Sequence, residues 1–306
     1  MDESSRQVDL APWLGVTLLA QTAWGAYPVL ARYLQTVSDL PSMSILALGN
    51  LIALVVVGLV FLPRIRPADL MTPRLLLFAA LVVARGISNF LAARYTLAIY
   101  VQLITLLTPF IVALLSMLIW QERLPRFTGR ALFLGLFGVL LIIGIDLFEK
   151  QGMPTTDRTD WLGIALAAGS SLMLALYMIA VRRLTFFGVR GQALLLTQLL
   201  VLSMASFALS YALGESWQQW RHITLVDWFV FALLTFGVLI GANLSQIGAI
   251  RHLGAALVSS TMPWRLVSAL AVSALLLNEH LSSFWQFVGV ALVMGTISWY
   301  LWEQRR

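Results

Sequence analysis

The sequence predicts an all-α polytopic membrane protein, with ten transmembrane helices arranged as two inverted five-helix repeats around a central cavity. Of its 306 residues, 60% are hydrophobic and only 11% are charged, whereas soluble domains carry roughly a quarter charged residues. Apolar runs of about 20 residues, long enough to cross a bilayer, recur along the chain with short connections. The pattern around Glu122 returns 157 positions later around Glu279, which indicates an internal duplication.

Ten apolar runs account for the ten predicted helices. The predicted spans are 12–34, 44–63, 75–94, 98–119, 128–147, 161–181, 190–212, 228–250, 255–277 and 284–302. The polar first eleven residues include three acidic side chains, which is atypical of a cleaved signal peptide, so we expect the first span to remain in the mature protein. The predicted organisation is a cytoplasmic tail (1–11), a first five-helix repeat (12–147), an extracytoplasmic linker (148–160), a second, inverted repeat (161–302) and a cytoplasmic tail (303–306).

The positions of Lys and Arg predict which side of the membrane each connection occupies. With the amino terminus in the cytoplasm, thirteen basic residues near span ends fall on the cytoplasmic side and five on the other, as the positive-inside rule requires. The connection after Glu122 is basic, whereas its counterpart after Glu279 has no Lys or Arg. Because each half contributes an odd number of spans, the second half enters the membrane inverted. We therefore predict a multi-pass protein of the inner membrane with both termini in the cytoplasm.

Side chains that catalyse reactions within membranes are missing from the predicted spans. All fourteen acidic residues lie in the tails, connections or span ends, and the three histidines lie at span margins. The sequence has no metalloprotease, aspartyl protease or serine–histidine pattern, and it has no cysteine. It therefore predicts no catalytic residue, no metal site and no cofactor.

Two arginines lie at mid-depth in the predicted spans. Arg85 is near the centre of the third span and Arg265 near the centre of the ninth. An arginine at the bilayer centre costs about 2.5–3.5 kcal/mol on insertion scales, so each should face a cavity or a partner. Since the spans hold no buried carboxylate, both arginines are candidates to attract an anionic group such as a carboxylate or phosphate. The alternative is that they are structural pins, bonded to backbone carbonyls and amide side chains.

Aromatic and polar side chains extend the predicted substrate-binding cavity. Trp24 and Trp264 lie at mid-depth, whereas the other tryptophans lie near span ends, as an interfacial belt does. Further candidates are polar residues at depth: Gln21, Tyr27, Asn89, Thr261 and Gln246. Weaker candidates of the same kind are Tyr100, Gln102, Thr105, Tyr177, Gln198, Asn243 and Ser245. Ordinary packing inside the helix bundle is the alternative for each of them. Pro28, Pro109 and Pro263 predict kinks, which we expect to act as hinges.

Each half carries one repeated pattern: a proline in span four or nine, a run of Leu and Ala, an acidic tripeptide and a Gly-rich following span. The tripeptides are Glu-Arg-Leu at 122–124 and Glu-His-Leu at 279–281. This pattern covers nearly the whole chain and resembles the EamA-domain branch of the drug/metabolite transporter superfamily. The resemblance implies two inverted five-helix repeats around a cavity lined mainly by spans 1, 3, 4, 6, 8 and 9. The family often has Gly before the Glu, where this chain has Gln121 and Asn278, and we interpret both glutamates as helix-end structure.

The cavity side chains predict a secondary transporter, not driven by ATP, that moves a small polar or amphipathic metabolite by alternating access. An amino acid or related carboxylate, exported from the cell, suits this set of side chains best. The alternatives are an exchanger of phosphorylated or nucleotide-linked metabolites, a lipid-flippase accessory protein and a non-transporting membrane scaffold. The predicted partners are a small-molecule substrate and the lipid bilayer, for a monomer or a homodimer. The formal net charge of +6 reflects the basic cytoplasmic face, so no nucleic-acid partner is predicted.

Overall fold

A computed structural model describes residues 10–61, 63, 74–121, 127–150, 159–253, 258, 261–281 and 283–303. The α-helices in these ranges are α1 (Leu10–Thr36), α2 (Ser42–Phe61), α3 (Arg74–Tyr95), α4 (Ala98–Thr105), α5 (Thr108–Trp120), α6 (Thr128–Lys150), α7 (Thr159–Phe186), α8 (Gly191–Ala212), α9 (Leu225–Ala232), α10 (Asn243–Leu253), α11 (Trp264–Leu276) and α12 (Phe284–Glu303). A 3-10 helix at Trp217–Arg221 and a π-helix at Leu233–Ala242 complete the regular structure. The predicted all-α class is confirmed for the described part of the chain.

The helices have the length and composition of a multi-pass membrane protein. Within the described residues, six helical stretches are long and apolar enough to cross a membrane: Ser42–Phe61, Leu75–Tyr95, Ala98–Ile119, Asp160–Phe186, Gly191–Ala212 and Leu225–Gln246. Three shorter apolar helices cover Thr128–Gly144, Trp264–Leu276 and Phe284–Tyr300. Helix α1 has 27 residues, which corresponds to a rise of about 40 Å. Each predicted span contains described helix, and the count of ten transmembrane helices stays a prediction.

Large apolar side chains cover the outer surface of the bundle. Leu59, Leu76 and Leu275 expose 77%, 75% and 85% of their surface. Soluble monomers rarely show extended apolar surface, whereas lipid tails are as apolar as leucine and accept such side chains without penalty. The outer surface of the bundle is therefore suited to lipid.

The three predicted kink positions differ in their local structure. A two-residue turn separates α4 from α5, and Pro109 lies in the first turn of α5, where a residue without an N–H disrupts no helical hydrogen bond. Pro263 is the N-cap of α11. Helix α1 continues through Pro28 without a change of helical type. The fourth predicted span is thus two short helices rather than one bent helix.

Helices α5 and α11 end in the same backbone conformation. Gln121 has φ 55° and Asn278 has φ 56°, so both adopt the left-handed conformation that commonly ends a helix and that Gly adopts most easily. These residues are 157 positions apart, which is the spacing of the predicted duplication. Glu279 follows Asn278 and forms an ion pair with Arg32, with Arg32 Nε 2.7 Å from Glu279 Oε1. Its contact agrees with a helix-end role, while Glu122 lies outside the described residues.

The eighth predicted span changes helical type along its length. It begins with a capping box, in which Thr224 Oγ1 accepts from the backbone N–H of Asp227 and Asp227 accepts from the backbone N–H of Thr224. It continues as a π-helix of ten residues and ends as α10. A π-helix bonds each N–H to the fifth residue back, so it is wider than an α-helix and turns the side chains that follow to a new direction. Those side chains include Asn243 and Gln246 at the start of α10.

Helices from the two halves of the chain pack against one another. Helix α3 packs along α7, whereas α1 packs along α10, α11 and the π-helix. Helix α2 packs along α8, and α6 packs along α12. In this last pair, a Cβ on Gly289 would lie 2.9 Å from the carbonyl oxygen of Gly138, so the close approach of the two backbones requires glycine. The structure is thus held together by contacts between the halves as well as within them.

Candidate substrate-binding cavity

A cavity of about 680 Å³ lies among helices of both halves, within the usual volume range of small-molecule sites. Side chains from α1, α3, α4, α5, α7, α8, α10, α11 and α12 line it. Its polar and aromatic lining residues are Trp24, Tyr27, Arg85, Asn89, Gln102, Thr105, Thr108, Ser116, Ser170, Tyr177, Gln198, Asn243, Gln246, Arg265 and Tyr300. The two mid-depth arginines therefore face the same cavity, although they are far apart in the sequence.

Most of the residues that the sequence selected lie on the cavity wall. The predicted residues in the lining are Trp24, Tyr27, Arg85, Asn89, Gln246, Arg265, Pro28 and Pro109. The predicted residues outside the lining are Gln21, Thr261, Pro263 and Trp264. Trp264 is 44% exposed, and its Nε1 donates to Thr22 Oγ1 over 3.0 Å. Consecutive helical residues point about 100° apart, so Arg265 faces the cavity while its neighbour Trp264 faces the outside.

Arg265 is held in place by α1. Its Nε donates to Gln21 Oε1, and Gln21 Nε2 donates to Val258 O over 3.3 Å and to Thr261 Oγ1 over 3.2 Å. These bonds fix the amide of Gln21, which is only 1% exposed, with its oxygen towards the guanidinium. Arg265 Cζ also lies 5.7 Å from the ring centroid of Trp24, within cation–π range. Gln21 and Thr261 therefore support the cavity from behind its wall.

Gly25 permits the close contact between α1 and α11. A Cβ at this position would lie 2.3 Å from the carbonyl oxygen of Arg265, closer than any two such atoms can approach. One turn away, Ser268 Oγ donates to the carbonyl oxygen of Thr22 over 2.8 Å. The absence of a side chain on Gly25 is thus what brings Gln21 within hydrogen-bond distance of Arg265.

Arg85 is placed against α7. Its Cζ lies 4.8 Å from the ring centroid of Tyr177, which is a cation–π distance. Tyr177 is itself fixed, because its hydroxyl donates to Gln198 Oε1 over 2.8 Å. Ser170 Oγ donates to the backbone carbonyl of Arg85 over 3.2 Å. Asn89 follows Arg85 by one helical turn and lines the same wall.

The cavity wall carries positive charge without a compensating carboxylate. No Asp or Glu is among its lining residues in the described part of the chain, and within that part neither Arg85 nor Arg265 forms an ion pair. Two further lining residues hold buried donors that have no hydrogen-bond partner within the described structure, Trp24 Nε1 and Gln102 Nε2. Unpaired buried donors cost about 1–3 kcal/mol each, and together with the guanidiniums they favour an anion in the cavity.

Four polar lining residues were not selected from the sequence: Thr108, Ser116, Ser170 and Tyr300. The signal that could have found Ser170 is a helical face of α7, on which Ser170, Tyr177 and Val181 are spaced by seven and four residues. The other three have no comparable signal, because Ser, Thr and Tyr also occur in packed helix contacts. Of the weaker candidates, Gln102, Thr105, Tyr177, Gln198 and Asn243 lie in the lining as well.

The comparison with protein families covers the first half of the chain. The model of the EamA-like transporter family matches residues 11–144. We call residues 11–144 the EamA-like segment. This family is part of the drug/metabolite transporter superfamily, so the match agrees with the resemblance found in the sequence.

The comparison with solved structures extends to nearly the whole chain. Twelve chains of known structure match. One of them, a crystal structure, aligns with 94% of this chain and 96% of its own length, at a TM-score of 0.61 and 20% sequence identity. At this identity the likeness concerns the fold. None of the curated proteins matches the chain.

The cavity reaches one end of the helix bundle. Ser116 lies near the end of α5, Gly191 is the first residue of α8, and Tyr300 lies near the end of α12; all three line the cavity. These helix ends adjoin the connections that the sequence predicts to be cytoplasmic. Towards the other end the helices are closely packed, since Leu34 of α1 and Phe90 of α3 are fully buried.

A group of hydrogen-bonded charges lies at this closely packed end, beyond the cavity. In addition to its ion pair with Glu279, Arg32 donates through Nη1 to the carbonyl oxygens of Thr96 over 2.6 Å, Ala93 over 3.1 Å and Arg94 over 3.3 Å. We call this set of five residues the Arg32 cluster. It joins the end of α1 to the end of α3 and to the connection after α11, so it holds the bundle together at the end opposite the cavity.

Proposed function

We propose that the protein is a secondary transporter that exports a small carboxylate-bearing metabolite, an amino acid or a related organic acid, by alternating access. The observation that carries the proposal is the pair of guanidiniums, from Arg85 and Arg265, that face one cavity without an ion-pair partner among the described residues. The EamA-like segment supports the assignment to membrane transport. The side chains that line the cavity would determine which substrate binds.

The two cavity arginines are costly in free energy to place within a bilayer. Each costs about 2.5–3.5 kcal/mol to place at mid-depth in a bilayer. The aromatic contacts of Arg85 with Tyr177 and of Arg265 with Trp24 offset part of this cost, at about 0.5–2 kcal/mol each. A bound carboxylate would offset more, because charge-assisted hydrogen bonds are roughly twice as strong as neutral ones. The cavity is therefore suited to an anion.

The alternating-access part of the proposal rests on the relation between the halves. The matched helix ends at Gln121 and Asn278 support an internal duplication. The packing of α3 on α7 and of α1 on α10 is the exchange of partners that two inverted repeats would produce. In this proposal the halves rock about the cavity, with pivots at Pro28, Pro109 and Pro263. The Arg32 cluster would open when the cavity turns to the outside.

The test is export from reconstituted vesicles. Purified protein would be placed in liposomes loaded with a labelled amino acid or a labelled organic acid, and efflux would be measured for the wild type, Arg265→Gln and Arg221→Gln. Arg221 is exposed in the 3-10 helix outside the cavity, so its variant is the matched loss of one positive charge. We expect efflux that Arg265→Gln abolishes and Arg221→Gln preserves. Equal efflux from protein-free vesicles would favour the scaffold alternative and end the proposal.

A further inference from the structure

We infer that the cavity selects organic anions with two negative charges and no ammonium group over zwitterionic amino acids. The inference rests on the proposed function and narrows its substrate class. It follows from the charged groups on the cavity wall and from the lining groups that already contact one of the two guanidiniums or each other.

The first step is the charge of the wall. Arg85 and Arg265 contribute two positive charges, and no lining residue within the described ranges contributes a negative one. A zwitterionic amino acid has no net charge, so it would leave the wall with the same excess of positive charge. A dianion would neutralise both guanidiniums, which interact strongly with bound charge because water is partly excluded.

The second step is that the described lining offers an ammonium group no carboxylate and few free aromatic faces. Carboxylates and exposed aromatic faces are the groups that bind ammonium best. The faces of Tyr177 and Trp24 already lie against the two guanidiniums, at 4.8 and 5.7 Å. The Gln198 oxygen already accepts from Tyr177. An ammonium group in this cavity would lie near two cations, and the described groups left to receive it are neutral amides, hydroxyls and the rings of Tyr27 and Tyr300.

The third step is that the two cations are anchored separately. Arg265 is fixed from α1 by Gln21, whereas Arg85 is fixed from α7 through Tyr177. Because the two guanidiniums are held from different helices and line one cavity, they can serve two anionic groups on one molecule. The apolar part of the wall, which includes Met178 and Leu194, leaves room for an uncharged body.

The experiment uses the purified full chain and four probes that share a four-carbon skeleton. Succinate has two carboxylates, succinamate has one, aspartate has two carboxylates and an ammonium group, and asparagine is a zwitterion with one carboxylate. Glycerol phosphate, a dianion with a different head group, separates phosphate from dicarboxylate chemistry. Dissociation constants would be measured calorimetrically in detergent for the wild type, Arg85→Gln, Arg85→Lys and Arg265→Gln.

We expect a dianion, either succinate or glycerol phosphate, to bind at least about tenfold more tightly than succinamate or asparagine, with aspartate between them. Arg85→Gln and Arg265→Gln should each reduce the affinity for the dianion to that of succinamate, and Arg85→Lys should keep most of the preference because it keeps the charge. The comparison among ligands on the wild type needs no variant, so a variant that fails to fold does not weaken it.

The outcomes separate this inference from the proposed function. If asparagine binds as tightly as the dianions and is exported, the proposed function stands and the inference is wrong. If no probe binds and no efflux is seen, both are wrong. If the dianions bind most tightly but equally well to Arg85→Gln and Arg265→Gln, the site lies elsewhere and the inference is again wrong.

Discussion

The Arg32 cluster and the cavity arginines contain the same type of side chain in opposite circumstances. Arg32 is bound to a carboxylate and to three backbone carbonyls. Arg85 and Arg265 are positioned by an aromatic ring each, and one of them by an amide, without a carboxylate among the described residues. Paired charges stabilise one arrangement of the helices, whereas unpaired charges leave binding capacity for a ligand. Under the proposed function, pairing, more than depth or residue type, separates the structural arginine from the two substrate-binding ones.

The largest expected effect comes from a change that disturbs both regions, Gly25→Ala. Because its Cβ would lie 2.3 Å from the Arg265 carbonyl oxygen, α1 must move away from α11, at a cost of about 3 kcal/mol. Gln21 then moves away from Arg265, so anion affinity should fall as well. Thermal unfolding and ligand binding would measure both effects.

The matched control is Gly15→Ala on the same helix, where no atom lies within 4 Å of the added Cβ. It should leave stability and binding unchanged. Equal behaviour of the two alanine variants would show that the α1–α11 contact does not control the cavity.

Gln21→Glu should convert an unpaired arginine into a paired one. The new carboxylate would replace the amide oxygen that accepts from Arg265 Nε and would compete with the substrate for the guanidinium. We expect anion affinity to fall about 100-fold, the value of one lost charge-assisted interaction, while the new ion pair offsets part of the loss of the two hydrogen bonds that Gln21 Nε2 donates. Isothermal calorimetry and thermal unfolding would be compared with Gln21→Leu, which removes the support without adding charge and should weaken binding about tenfold. Unchanged anion affinity in Gln21→Glu would be incompatible with a role for Arg265 in binding.

Arg32→Gln should have the opposite profile, with reduced stability and unchanged anion affinity. Its loss removes an ion pair and three hydrogen bonds at the end opposite the cavity, which we expect to cost about 2 kcal/mol. Glu279→Gln should also destabilise the protein, and the double variant should lose less than the sum, because the two residues form one pair. Strict additivity of the two losses in thermal unfolding would mean that the pair contributes nothing.

The smallest expected effect is that of Trp24→Phe. Phenylalanine keeps an aromatic face for Arg265 but removes the Nε1 donor, which has no partner within the described structure. If a bound anion accepts from this donor, its affinity should fall about threefold, the value of a weak neutral hydrogen bond. Stability should stay the same or rise, because the orphaned donor is removed. A drop in stability with unchanged affinity would assign Trp24 to packing alone.

Much of the fold follows from the sequence because bilayer thickness imposes strong constraints. Every described α-helix overlaps a predicted span, and the two mid-depth arginines both line the cavity. Sequence gives depth along a helix, but it does not give the face that meets each neighbour. For that reason Trp264 was grouped with Arg265, and Gln21 was expected on the wall although it supports the wall from behind. No sequence pattern predicts the π-helix before Asn243. The direction of the Asn243 side chain is therefore known only from the structure.

The central claim is that unpaired cavity arginines bind the substrate while the paired arginine does not, and anion-induced thermal stabilisation tests it most directly. A ligand at about 100 times its Kd should stabilise the folded state by about 2.7 kcal/mol, which raises the melting temperature. With succinate or glycerol phosphate as the probe, we predict this rise in the wild type and in Arg32→Gln, from its lower starting temperature. In Arg265→Gln we predict at most about half of it, because a tenfold weaker Kd leaves about 1.4 kcal/mol at the same ligand concentration. An equal rise in Arg265→Gln, or its loss in Arg32→Gln alone, would contradict the account.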